Sequence, residues 1–113
     1  MEMDLQIQVE EINKKLILRL IGRIDAYSSV TLEKRLKLLL NGKNKNILLD
    51  FTNVEYLSSA GIRVLLFADK KLKQEHGSFI LFALNEDIKE ILKIAGFDTV
   101  LFICENEQQA LSK

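Results

Sequence analysis

Ile47-Leu48-Leu49-Asp50-Phe51 is an apolar run with no two-residue alternation, and it stands between two stretches whose apolar residues recur at helical spacing. A strand with one face in water alternates apolar and polar side chains. A run without that period therefore predicts a strand covered on both faces, as in the centre of an α/β sheet. Before the run, Leu32, Leu36, Leu39 and Leu40 fall on one helical face, with Lys34 and Lys37 turned away, Arg35 at the margin and Asn41-Gly42 as a stop. After it, Leu65, Ala68 and Leu72 share a face and the pattern ends near Gly77. Lys70, Lys71 and Lys73 read as a solvated helix face, and His76 as a cationic partner for the helix C-terminus.

The flanking segments extend the same picture. Leu5, Ile7 and Val9 alternate with polar residues, and Leu16, Leu18 and Leu20 follow with Ile17 and Ile21 beside them, which predicts two strands joined by a turn at Asn13-Lys14-Lys15. Phe79 to Leu84 predicts a strand. Asn85 then caps a helix that points Ile88, Ile91, Leu92 and Ala95 inward, with Glu86 and Asp87 in its first turn, Lys93 in its last and Gly96 just beyond. Val100 to Cys104 predicts the last strand and Glu105 to Leu111 a short final helix. An opening hairpin followed by alternating helices and strands predicts an α/β fold, a mixed β-sheet with an N-terminal hairpin and about four helices. No Pro-, Gly- or Ser-rich linker interrupts it, so residues 1–113 are expected to form a single domain.

Composition narrows the chemistry. Sixteen Lys plus Arg balance sixteen Asp plus Glu, so the surface lacks the positive excess that phosphate neutralisation requires, and no nucleic-acid partner is expected. Cys104 is the lone cysteine; it reads as a small buried hydrophobe in a reducing, cytoplasmic setting. The longest apolar runs, such as Val64 to Ala68, are far too short for a bilayer, and no signal-like segment opens the chain, so no direct membrane insertion is expected. One histidine and one cysteine leave no zinc-spaced cluster and little for a hydrolytic triad. An esterase elbow is absent too, because Leu57 occupies its first glycine position and only His76 could be the base. A binding or switching module without cofactor or metal is the expectation.

In a sheet of this kind the loops after the carboxyl ends of the strands gather at one edge and carry the binding groups. Gly22 to Ser29 and Asp50 to Arg63 are the candidate segments. Ser58 and Ser59 stand where a helix N-cap is needed. A serine there lies near unpaired backbone N–H groups, which can also receive a phosphate. Gly61 suits close helix–sheet packing, Asp25 can cap the turn that follows it, and Asp50 reads as a hydrogen-bond acceptor that fixes a loop.

Ile47-Leu48-Leu49-Asp50-Phe51, followed by Val54-Glu55-Tyr56-Leu57-Ser58-Ser59-Ala60-Gly61-Ile62, resembles the signature of the STAS domain, a family named for sulfate transporters and anti-sigma factor antagonists. Gly22-Arg23-Ile24-Asp25 is similar to an earlier element of that family, and the order of elements matches over essentially the whole chain. A free-standing domain of this size is most similar to the bacterial anti-sigma factor antagonists. The resemblance implies a STAS-like fold and phosphorylation on Ser59, with Ser58 as the alternate acceptor. It implies docking through Asp25, Tyr27, Ser59, Ala60, Gly61 and Arg63, with Asp50 and Ser58 supporting the loop. The implied partners are an anti-sigma factor that is also a serine kinase of the histidine-kinase-like ATPase type, and a serine phosphatase. Two residues depart from the family pattern: Ser58 stands where Asp is usual, and Arg63 stands where many members have a second glycine. The alternative function is that of a STAS interaction subunit of a transporter or other signalling complex without a sigma factor.

Overall fold

A computed structural model of the chain describes residues 5–113; residues 1–4 of the expected domain lie outside the described residues. The element order is β1 (Gln6–Ile12), β2 (Lys15–Ile24), α1 (Ser28–Leu40), β3 (Asn46–Leu57), α2 (Ser59–Gln74), β4 (Ser78–Phe82), α3 (Glu86–Ile94), a 3₁₀ turn (Phe97–Thr99), β5 (Phe102–Cys104) and α4 (Glu107–Leu111). The five strands form one sheet in chain order, antiparallel between β1 and β2 and parallel from there on. It is the expected mixed α/β sheet with an N-terminal hairpin and four helices.

That order decides where the helices go. Each parallel crossover is right-handed and each moves one strand in the same direction, so α1, α2 and α3 must all fall on one face of the sheet. Leu32, Leu36, Leu65, Leu72, Ile88 and Leu92 from those helices accordingly share one cluster with Leu18, Leu20, Ile47, Leu49, Phe51, Phe79 and Leu81. The alternate strand positions Ile17, Leu48, Ile80, Phe82 and Cys104 form a second cluster with Ala110 of α4. Ile47, Leu48 and Leu49 are fully buried because they contribute to both. The missing period of the central run is thus the signature of a strand with helices on each side.

α4 is only five residues long and is held by ions as well as by packing. Lys15 Nζ donates to Leu111 O at 2.7 Å. Arg19, on β2, pairs with Glu10 of β1, with Asp50 of β3 and with Glu107 of α4. One guanidinium therefore links three strands to the helix that closes the second face.

Several expected boundaries move, each for a local reason. β3 continues past Phe51 to Leu57, because Asn53 to Leu57 pair with Ile21 to Ile24 of β2 across two register shifts, next to Gly22 at φ +123°. β4 stops at Phe82 rather than Leu84, since Ala83 takes φ +61°. β5 begins at Phe102 rather than Val100, because Phe97 to Thr99 wind into a 3₁₀ turn. α4 begins at Glu107, after Asn106 accepts the Gln109 N–H at 2.9 Å. Ile91 and Ala95, expected inward, are exposed: the nine-residue α3 meets the core only along the stripe of Ile88 and Leu92. Lys73 is more than a solvated charge, as it pairs with buried Asp69 at 2.9 Å. His76 sits exposed at φ +61° just beyond α2, where its backbone N–H donates to Lys73 O.

Candidate functional site

The carboxyl ends of β2 and β3 and the amino ends of α1 and α2 meet at one edge of the sheet. Ser58 N–H donates to Ile24 O at 2.8 Å, which ties the two candidate segments together.

Ser58 is the N-cap of α2, with extended backbone, and its Oγ accepts the Gly61 N–H at 3.1 Å. It satisfies one of the donors that the first turn of a helix leaves unpaired. Ser59 is the first residue of α2 and is exposed. The two adjacent hydroxyls thus have different situations, one committed to the backbone and the other directed to solvent. Ala60 is half-buried, and Arg63 is exposed one turn further along α2.

Gly61 is buried, and a Cβ there would come within 2.6 Å of Ile24 Cγ2 and 2.7 Å of Leu57 Cδ1. Both neighbours are buried core residues. The close helix–sheet packing expected of Gly61 is what lets α2 approach the sheet.

Asp25 and Ser28 cap each other. Asp25 Oδ1 accepts the Ser28 N–H at 2.8 Å, and Ser28 Oγ accepts the Asp25 N–H at 3.0 Å while donating to Arg23 O at 2.6 Å. The Ser28 N–H bond first, with the charge of Arg23 as a smaller contribution, holds the Asp25 carboxyl below the usual carboxylate range. Tyr27 projects between them, 83% exposed. Arg23 lies over the Tyr56 ring at 4.5 Å, a cation–π pair on the outer part of β2 and β3. Neither Ser28 nor the Arg23–Tyr56 pair was among the expected site residues. The Asp-x-x-Ser spacing of 25 and 28 is the one signal that could have revealed the mutual cap.

Asp50 is not part of this edge. It lies inside β3, with Oδ2 2.9 Å from Arg19 Nη1 and Oδ1 accepting the Thr52 N–H at 2.9 Å. Seven residues of β3 separate it from Ser58, and the stretch of β2 paired with them, Arg19 to Ile24, spans roughly 17 Å at ~3.3 Å each. The expected loop-supporting role of Asp50 is overturned because the strand does not end there; its carboxylate anchors the Arg19 cluster. An open groove of about 990 Å³ runs beside the edge, lined by Arg23, Asp25, Thr52, Asn53, Glu55 and Asn85 among others, and Ser59 is not in its wall. His76 lies beyond the far end of the 16-residue α2 from Ser59, about 24 Å away at ~1.5 Å per residue. A hydrolase using Ser59 with His76 as its base is therefore excluded by distance. Among the described residues no group of His, Cys, Asp and Glu is arranged to hold a metal ion, and no helix is long and apolar enough to cross a membrane.

The STAS domain family model matches residues 6–110. An anti-sigma F factor antagonist of Paenibacillus polymyxa is 27% identical over 112 residues, 98% of this chain and 96% of that protein. Among solved structures, an anti-sigma factor antagonist from Mycobacterium paratuberculosis superposes with a TM-score of 0.88 at 22% identity, covering 96% of this chain and 92% of that one. The Bacillus cell fate determinant SpoIIAA in its phosphorylated form gives 0.73 at 17% identity, covering 95% and 97%. At these identities the structural likeness concerns the fold.

Proposed function

The chain belongs to the STAS domain family, and from that premise we propose that it is an anti-sigma factor antagonist whose grip on its partner is switched off by phosphorylation of Ser59. The observation that carries this reading is the division of labour between two serines. Ser58 spends its hydroxyl on the cap of α2, whereas Ser59 offers an exposed one at the first position of the same helix. The names of relatives that align over nearly the whole chain support the class of partner.

In the unphosphorylated state the edge formed by Asp25, Tyr27, Ser59, Ala60, Gly61 and Arg63 docks onto an anti-sigma factor and frees a sigma factor. The same partner, a serine kinase of the histidine-kinase-like ATPase type, supplies ATP. Ser59 Oγ attacks the γ-phosphorus; the new O–P bond forms as the bond to ADP breaks, and the hydroxyl proton passes to a base on the partner. A serine phosphatase later hydrolyses the ester to serine and inorganic phosphate.

The switch follows from charge and space. Phosphate adds roughly −1.5 to −2 charges at pH 7. Two unit charges ~4 Å apart at an effective dielectric of ~20 repel by about 4 kcal/mol, which weakens binding about a thousandfold. The fold need not change, because a helix N-terminus tolerates an anion. Phosphosite mapping by mass spectrometry after incubation with native cell extract and ATP tests the reading. Label lost in Ser59→Ala and kept in Ser58→Ala supports it. Label on neither serine, with an active control kinase in the same extract, overturns it in favour of a constitutive interaction module.

A further inference from the structure

Ser59 and Arg63 lie four residues apart on α2 and both are exposed, so their side chains rise from one helix face a single turn apart. Several of the other cations are engaged, though not all of them. Lys37 pairs with Glu33, Lys45 with Glu75, Lys73 with Asp69, and Lys89 with Glu86 and Glu105. Arg19 holds three carboxylates, and Arg23 rests on Tyr56. Among the described residues no carboxylate lies within ion-pair distance of Arg63.

We propose that Arg63 is the positioning residue of the phosphorylated state: it pairs with the phosphate on Ser59 across one turn of α2 and so withdraws its own cation from the docking edge. The proposal rests on Ser59 as the acceptor. An anion placed four residues before a cation is the favourable order along a helix. The planar guanidinium fork matches two phosphate oxygens, which a lysine ammonium does not. A single modification then changes two determinants at once: the hydroxyl becomes a dianion, and the free cation beside it is neutralised. The phosphorylated edge differs from the unphosphorylated one over a full helical turn rather than at one oxygen.

The test uses the full chain with phosphoserine inserted at position 59 during translation, so it depends on no kinase. The second ionisation of the phosphate is followed by phosphorus NMR in the otherwise unchanged protein, in Arg63→Gln and in Arg63→Lys. The field of the helix N-terminus is common to all three. With Arg63 present the midpoint is expected to lie about 0.3–0.5 unit below that of Arg63→Gln, with Arg63→Lys between them. The gap should close at ~1 M salt. Equal midpoints in Arg63 and Arg63→Gln protein overturn the pairing, whatever the mapping experiment finds. Failure to label Ser59 in extract overturns the kinase reading and leaves this titration fully informative about Arg63.

Discussion

Ser58 Oγ lies 3.1 Å from the Gly61 N–H it caps, and the residue between them that carries the free hydroxyl, Ser59, is already helical. The two serines should therefore separate in stability measurements. Ser58→Ala loses the cap and is expected to cost about 1 kcal/mol, while Ser59→Ala changes stability by less than about 0.5 kcal/mol. Urea titrations of both variants give the comparison. Equal losses would mean that the cap is shared.

Removing Arg19 leaves Asp50, buried in the middle of β3, without its cation. Arg19→Met is expected to destabilise by about 2 kcal/mol, reduced from the fully buried case because the guanidinium is partly exposed and Thr52 still donates to Asp50. Asp50→Asn in the same background should cost much less than it does alone. A double-mutant cycle in urea checks this, and strict additivity would contradict the pairing.

His76 and Gly77 carry opposite demands at the end of α2. His76 takes φ +61°, which glycine adopts without penalty, whereas a Cβ on Gly77 would stand 2.2 Å from Lys45 O. His76→Gly is expected to gain about 0.5–1 kcal/mol after the extra chain entropy of glycine is counted. Gly77→Ala is expected to lose about 2 kcal/mol through overpacking. Thermal melts of the pair should move in opposite directions.

The Asp25 carboxyl titrates below its ordinary value of 3.8 when folded, because the Ser28 N–H bond favours its ionised form. A depressed folded value gives stability that is present above the unfolded pKa and lost as pH falls through the folded one. Asp25→Asn keeps a capping oxygen and removes only the charge. The advantage of the native residue should thus be full at about pH 6 and be lost only as pH falls below 3.8 through the lower folded value. Urea midpoints against pH would show converging curves; parallel curves would refute the assignment.

The central apolar run, the two leucine-rich helical faces and the N-cap residues Ser58 and Asn85 were legible because each is a local pattern that its element needs. The outer half of β3 was not. Thr52, Asn53, Glu55 and Tyr56 are exposed, so their composition is that of a loop, and only pairing with β2 makes them a strand. Asp50 was misread for the same reason. Its true partner, Arg19, is 31 residues away, and Glu107, which shares that arginine, is 88 residues from it. Such clusters are set by the register of strands and leave no mark on neighbouring sequence. At the acceptor edge the paired serines were visible, but which hydroxyl was spent on the cap depended on where the first helical turn began.

Sheet order that equals chain order has a kinetic meaning. Every strand of this molecule docks beside the strand made just before it, through a hairpin turn or a single crossover connection. Loop-closure entropy stays small at each step, so the sheet can grow in one direction as the chain leaves the ribosome, with β3 serving as the platform for α2 before β4 exists. The last strand is three residues long, and so short an edge gives a stray strand little to extend.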